Sequence, residues 1–231
     1  MPEQAEPRLY LKQIEIGPMQ NFAYLIGDRE THECVVVDAA WDIDAIAGLA
    51  AADDMKITAG LVTHFHPDHM GGSMMGMEIT GAAELIASQS IKIHLHKSEV
   101  PYAHQVAQLS DSDMVATEGG DTIEVGDIKI TFLHTPGHTP GSQCFLVGGH
   151  LVSGDTLFIG ACGRVDLPGS DPEDLYRSLN DTLKKLPEPT ILFPGHNYAH
   201  KPTSTIGEEV RTNPYMRFGK LADFLAAMGH G

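Results

Sequence analysis

Between Thr63 and His69 the chain reads Thr-His-Phe-His-Pro-Asp-His, which places three imidazoles and a carboxylate just past a strand-like run. Neutral imidazole nitrogen and carboxylate oxygen are donor atoms that zinc and iron take from proteins. Residues two apart in an extended segment point the same way, so His64 and His66 converge on one point. Pro67 then turns the chain and lets Asp68 and His69 face a neighbouring point. Donors at this density suggest two metals rather than one. Three more donors occur downstream, each just after a strand-like run and beside glycine. They are His138 in Thr135-Pro136-Gly137-His138-Thr139-Pro140-Gly141-Ser142, Asp155 in Ser153-Gly154-Asp155-Thr156, and His196 in Phe193-Pro194-Gly195-His196-Asn197. Glycine beside a ligand allows close backbone approach or positive φ. Four such loops converging on one rim would build a binuclear site.

The positioning elements follow from hydrophobic periodicity. Strands are predicted over 9–16, 22–26, 34–37, 57–63, 91–96, 122–125, 128–133, 143–147, 151–153 and 190–193. Helices are predicted over 42–54, 82–88, 97–108, 171–186 and 216–228, with Asp171 and Pro172 supplying a cap and a first helical residue. Strand clusters followed by helices, twice over, imply an α/β chain of two sheets packed face to face with helices outside. The two halves read as one domain over 1–231, with a short helical tail from about 207.

Composition narrows the chemistry. Fifteen basic against 31 acidic residues give a net charge of −16. No Lys/Arg run offsets that field, so nucleic acid and anionic membranes are not expected partners. No apolar run approaches the ~18 residues of a membrane span. The acidic opening over residues 1–7 argues against a cleaved secretory signal, and a cytoplasmic location is expected. Three irregularly spaced cysteines fit neither a disulfide framework nor a zinc knuckle. Cys34 and Cys144 read as buried core thiols.

His-x-His-x-Asp-His, then Pro-Gly-His-Thr-x-Gly, then Gly-Asp and a late Gly-His, resembles the metallo-β-lactamase fold superfamily. The resemblance implies an αββα sandwich of two mixed sheets with metals at one edge. It implies that His64, His66 and His138 hold one metal, that Asp68, His69 and His196 hold the second, and that Asp155 bridges them. Two divalent ions are implied, zinc first, with iron or manganese as alternatives. Within the superfamily the chain is similar to glyoxalase II enzymes, which hydrolyse S-D-lactoylglutathione, and Ala161-Cys162-Gly163-Arg164-Val165-Asp166 resembles a segment of theirs. The implied activity is hydrolysis of a small thioester or related ester by water activated at the metals, with Asp68 orienting that water. Persulfide dioxygenases share the same segment, and the stretches Thr203-Ser204-Thr205-Ile206-Gly207-Glu208-Glu209 and Asn213-Pro214 resemble theirs. That alternative implies one Fe(II) on His64, His138 and Asp155, acting on glutathione persulfide.

In either case the partner is a small thioester or glutathione-derived molecule, and the sequence is compatible with a homodimer. Arg164, with Tyr198 and Lys201, is the candidate anchor for a substrate carboxylate, because the overall field repels anions. Asp38 at a strand end is expected to bond a ligand histidine. His134 is a candidate to support a ligand ring, whereas His94 and His96 are expected on the polar face of a strand. Met70, Met74, Met75 and Met77 are expected in the core or a pocket wall.

Overall fold

The computed structural model describes residues 8–229. The first half supplies strands β1 (Leu9–Ile16), β2 (Asn21–Asp28), β3 (Glu33–Val37) and β4 (Lys56–Leu61), the hairpin β5 (Gly72–Met74) and β6 (Met77–Ile79), and β7 (Ile93–His96) and β8 (Met114–Thr117). The second half supplies β9 (Thr122–Val125), β10 (Ile128–His134), β11 (Gln143–Val147), β12 (His150–Gly154), the hairpin β13 (Leu157–Phe158) and β14 (Ala161–Cys162), then β15 (Ile191–Pro194) and β16 (Ser204–Thr205). Helices are α1 (Ile43–Ala52), α2 (Pro67–Met70), α3 (Ala82–Gln89), α4 (Val100–Val106), α5 (Pro172–Arg177), α6 (Ile206–Thr212) and α7 (Leu221–Ala227).

Two six-stranded sheets form, in the orders β1-β2-β3-β4-β7-β8 and β16-β15-β12-β11-β10-β9. Both are mixed. β3, β4, β7 and β8 run parallel to their neighbours in that series, as β12 does to β15, while the remaining pairs are antiparallel. Period-two alternation divides each strand between two cores. Phe22, Tyr24, Ile26, Val35 and Val37 meet Ile130, Phe132, Phe145, Val147 and Val152 between the sheets. The alternate residues Ala23, Leu25, Cys34 and Val36 pack outward with Ile43 and Ile46 of α1 and Leu85 of α3. Cys144, Leu151 and Leu192 pack outward on the other side with Leu175, Ile206 and Phe224 from α5, α6 and α7. The four layers are therefore helix, sheet, sheet, helix, and both buried cysteines fall in outer cores as expected.

Two predicted helices differ. The 171–186 helix is α only to Arg177, followed by a π turn over Ser178–Thr182 and a 3₁₀ turn over Leu183–Lys185. Leu175, Leu179 and Leu183 are spaced by four and all fully buried. Four α-helical residues overshoot a full turn by about 40°, so the wider π turn keeps the three leucines on one line against the sheet. The 216–228 helix is shortened to α7, with a 3₁₀ turn at Pro214–Met216 before it. Helix α6 falls in the helical tail expected from about 207, and Thr205 caps it by accepting from the Glu208 amide at 3.1 Å. Among the described residues no helix is long and apolar enough to cross a membrane.

Phe145 is fully buried and meets Phe132 edge to face at 5.3 Å. Phe145→Ala is expected to cost about 3–5 kcal/mol in chemical denaturation. A cost under ~1 kcal/mol would mean that the inter-sheet core does not carry the fold.

Candidate metal centre

Parallel pairing sets the location of the site. β3 and β4 run together, so Asp38 after β3 and the His64–His69 segment after β4 emerge at one edge. β12 and β15 also run together, so Asp155 and His196 emerge side by side. His138 comes from the loop between β10 and β11. Gly195 carries the His196 loop so close that an added Cβ would sit 2.3 Å from Asp155 Oδ1. Gly137 holds a φ of +134°, and its carbonyl accepts from the Asp171 amide at 2.8 Å, tying the His138 loop to α5.

All seven donors predicted from the sequence gather there. His66 Nδ1 lies 3.0 Å from both His64 Nε2 and His138 Nε2. His69 Nε2 lies 3.2 Å from His196 Nε2 and 3.4 Å from Asp68 Oδ2. Asp155 stands between the two groups. Its Oδ1 is 3.3 Å from His69 Nε2, and its Oδ2 is 3.4 Å from His196 Nε2 and 3.7 Å from His138 Nε2.

The outer nitrogens fix where the protons sit. His138 Nδ1 donates to the Arg164 carbonyl at 2.9 Å, and His196 Nδ1 to the Met19 carbonyl at 3.0 Å. His69 Nδ1 donates to Asp38 Oδ2 at 2.9 Å, as the sequence led us to expect of Asp38. Thr63 Oγ1 donates to Asp38 Oδ2 at 2.6 Å and so accepts from His64 Nδ1 at 3.0 Å. These four imidazoles thus turn Nε2 inward. Donor atoms ~2.0–2.1 Å from a zinc lie about 3.3 Å apart at the tetrahedral angle, close to the spacing here. Asp155 Oδ1 is buried without a hydrogen-bond partner. The donor set and this orphaned oxygen fit divalent cations. Burial and the neighbouring imidazoles hold His64 well below its ordinary value and His66 down at about 4. Burial works against ionisation of Asp155, but His69 and His196 hold its carboxyl at about 2. His64 and His66 are thereby neutral and Asp155 ionised, the forms that bind metal. Burial works against the charged form of His69, but Asp155, Asp68 and Asp38 hold it well above its ordinary value.

A family model described as Metallo-beta-lactamase superfamily matches residues 16–196. The chain belongs to that superfamily. It is 30% identical over 205 residues to the probable polyketide biosynthesis zinc-dependent hydrolase BaeB of Bacillus velezensis, covering 89% of this chain and 85% of that protein. The crystal structure of ETHE1 from Myxococcus xanthus superposes with a TM-score of 0.81 at 27% identity, covering 95% of this chain and 90% of that one. The di-iron-bound structure of TTHA1623 gives a TM-score of 0.71 at 32% identity, covering 88% and 99% respectively. Among these relatives, one is named a probable zinc-dependent hydrolase and another was solved with two irons.

Several supports of this site were not read from the sequence. Glu99, fully buried, accepts from the Phe65 amide at 2.7 Å, the Gly141 amide at 2.6 Å and Thr139 Oγ1 at 3.1 Å. One carboxylate thereby ties the His64–His69 segment to the His138 loop, and burial pushes it up to about 7 against those bonds. Asn21 Nδ2 donates to Asp68 Oδ2 at 3.0 Å, and its own Oδ1 accepts from Trp41 Nε1 at 3.0 Å. No local motif marks either residue; only the folded geometry does.

Other expectations are corrected. His134 does not support a ligand ring: it stacks on His96 at 3.8 Å and 8°, and its Nε2 donates to the Pro140 carbonyl. His96 is buried rather than on a polar face, because the stacked partner covers it, and burial lowers it to about 4. Lys201 Nζ is held by Glu208 at 2.6 Å and does not line the site cavity. Arg164 and Tyr198 do line it. The Arg164 guanidinium is paired with Asp166 at 2.8 Å, and the Tyr198 ring stacks on His196 at 4.6 Å. Burial, then Asp155 and Asp68, push the Tyr198 hydroxyl up to about 12, so it remains a neutral donor.

Asp38→Asn is expected to weaken divalent-metal affinity 10–100-fold in competition titration, because it unfixes His69 and, through Thr63, His64. Unchanged affinity would contradict this role. Glu99→Gln keeps the volume but cannot accept from all three donors. It is expected to speed hydrogen exchange at the Phe65 and Gly141 amides and to lower metal affinity about 10-fold; unchanged exchange would show that Glu99 does not join the loops.

Proposed function

We propose that the protein is a metal-dependent hydrolase of a small thioester or related ester, of the glyoxalase II type, working with two divalent ions, zinc first. The observation that carries this reading is the pair of separate triads. His64, His66 and His138 form one and Asp68, His69 and His196 the other, each with donor atoms within 4.8 Å. Asp155 presents one oxygen toward His69 and the other toward His138 and His196.

When bound, the ions would polarise the substrate carbonyl and lower the pKa of a water toward ~7. The chain's residues do the rest. Asp68, fixed by Asn21 through Oδ2, orients the water, whose proton is released as it attacks. Water oxygen bonds to the acyl carbon, the C–S bond breaks, and the departing sulfur recovers the proton, giving a carboxylic acid and a thiol. The Tyr198 hydroxyl at the rim is placed to donate to a polar group of the substrate. Arg164 is the cation available to a carboxylate that can compete with Asp166.

The likeness to ETHE1 of Myxococcus xanthus supports a second reading, a dioxygenase with one Fe(II) on His64, His138 and Asp155 acting on glutathione persulfide. One substitution separates the two. Under the hydrolase reading, His196→Ala loses one of two metal equivalents and slows thioester turnover about 10²–10³-fold, the scale of removing one electrophilic stabiliser. Oxygen uptake with glutathione persulfide by protein holding a single iron, undisturbed in His196→Ala, would replace the hydrolase with the dioxygenase.

A further inference from the structure

The donors sit on the floor of a cavity of about 560 Å³ whose walls are of two kinds. The segments after β12 and β15 bring Arg164 and Tyr198, the polar groups discussed above, set among Phe158, Leu167 and Pro168. The opposing wall comes from the His64–His69 segment, α4 and the β5–β6 hairpin. It consists of Phe65, Tyr102, Val106, Met74 and Met75, with Gln105 as its polar member. Phe65 and Tyr102 are stacked at 4.2 Å and 8°, a flat apolar surface beside His66.

The hairpin is unusual in its chemistry. β5 and β6 pair only with each other and lie outside both large sheets. Met74 pairs with Met77, and the turn between them is Met75–Gly76, both at positive φ. Met75 is 91% exposed and Met77 43%. A polar tip would be the ordinary solution for an exposed turn. Here Met74 and Met75, unbranched and polarisable side chains that adapt to irregular apolar partners, line the cavity. Their apolar surface gains a partner only when something apolar enters.

We propose that this wall is an acyl-chain subsite, so that the substrate class is thioesters of extended, unbranched apolar acyl groups rather than of short hydroxyacyl groups. The proposal rests on the hydrolase reading above for the thioester, and on the wall itself for the acyl chain. The chain would lie along Phe65, Tyr102 and Val106 beneath Met74 and Met75, with its carbonyl over the metal-binding residues and its sulfur directed toward Tyr198 and Arg164. The net charge of −16 argues against a strongly acidic carrier protein on the sulfur side, so the thiol is a small molecule.

The test separates the subsite from the reaction. Binding of S-alkyl N-acetylcysteamine thioethers, which cannot be hydrolysed, is measured by calorimetry for chains of two, four, six and eight carbons. Affinity is expected to rise about two- to fourfold per added methylene, the scale of burying that group. Met75→Ser and Met74→Ser, with folding checked by circular dichroism, are expected to flatten the rise. Affinity independent of chain length, or a rise untouched by both substitutions, overturns the proposal. Hydrolysis of the matching acyl thioesters is then followed. Length-dependent binding without turnover keeps the subsite and removes the hydrolase, whereas turnover that is flat with length keeps the hydrolase and removes the subsite.

Discussion

The structure depends on an electrostatic constraint at one sheet edge, where imidazole nitrogens and carboxylate oxygens crowd together. His64 Nε2, His66 Nδ1 and His138 Nε2 lie 3.0 Å apart in succession, and His69 and His196 meet Nε2 to Nε2 at 3.2 Å. Each outer nitrogen of His64, His69, His138 and His196 is committed to a hydroxyl, carboxylate or carbonyl. Facing lone pairs repel unless a cation lies between them. Buried polar atoms without partners are costly, and Asp155 Oδ1 is such an atom. Divalent cations among these donors would satisfy them together.

Much of the surrounding fold holds these donors in place. The parallel pairs β3–β4 and β12–β15 deliver their C-terminal loops to one edge, and the inter-sheet core holds the two edges in register. Glu99 joins the two loops that carry His64, His66 and His138, and Asn21 steadies Asp68. On the far side of the hairpin β13–β14, the buried Glu209 accepts from the Gly160 amide at 2.8 Å and from Ser204 Oγ at 2.6 Å. Asn213 Nδ2 reaches the Ala161 carbonyl at 2.9 Å. The Thr203–Pro214 stretch therefore has a physical task, fixing the segment that leads into Arg164.

The site was legible because its donors are dense and local: His64, His66, Asp68 and His69 occupy one short segment, and the distant donors are flagged by adjacent glycines and strand ends. The layer order was legible because β2 and β3 are continuous apolar runs, buried on both faces, and because clusters of strands are followed by helices in both halves. Asp38 could be inferred from its place at a strand end. Glu99 and Asn21 could not, because an isolated carboxylate at a helix start or an isolated amide at a strand start carries no periodic or motif signal; long-range contacts give them their roles. The stacking of His96 on His134 was hidden for the same reason, since the rings are brought together by strands of different sheets. The break after Arg177 depends on matching a four-residue leucine spacing to a flat partner, which single-sequence periodicity reads as plain helix.

The donor set by itself serves more than one reaction, and what differs between those reactions is how many cations it holds. Anomalous X-ray diffraction from crystals grown with zinc and measured at the zinc edge resolves this directly. The account requires two peaks per chain, about 3.5–4 Å apart, one among His64, His66 and His138 and the other among Asp68, His69 and His196, with Asp155 touching both. A single peak on His64, His138 and Asp155, with the second triad empty at saturating metal, would contradict it.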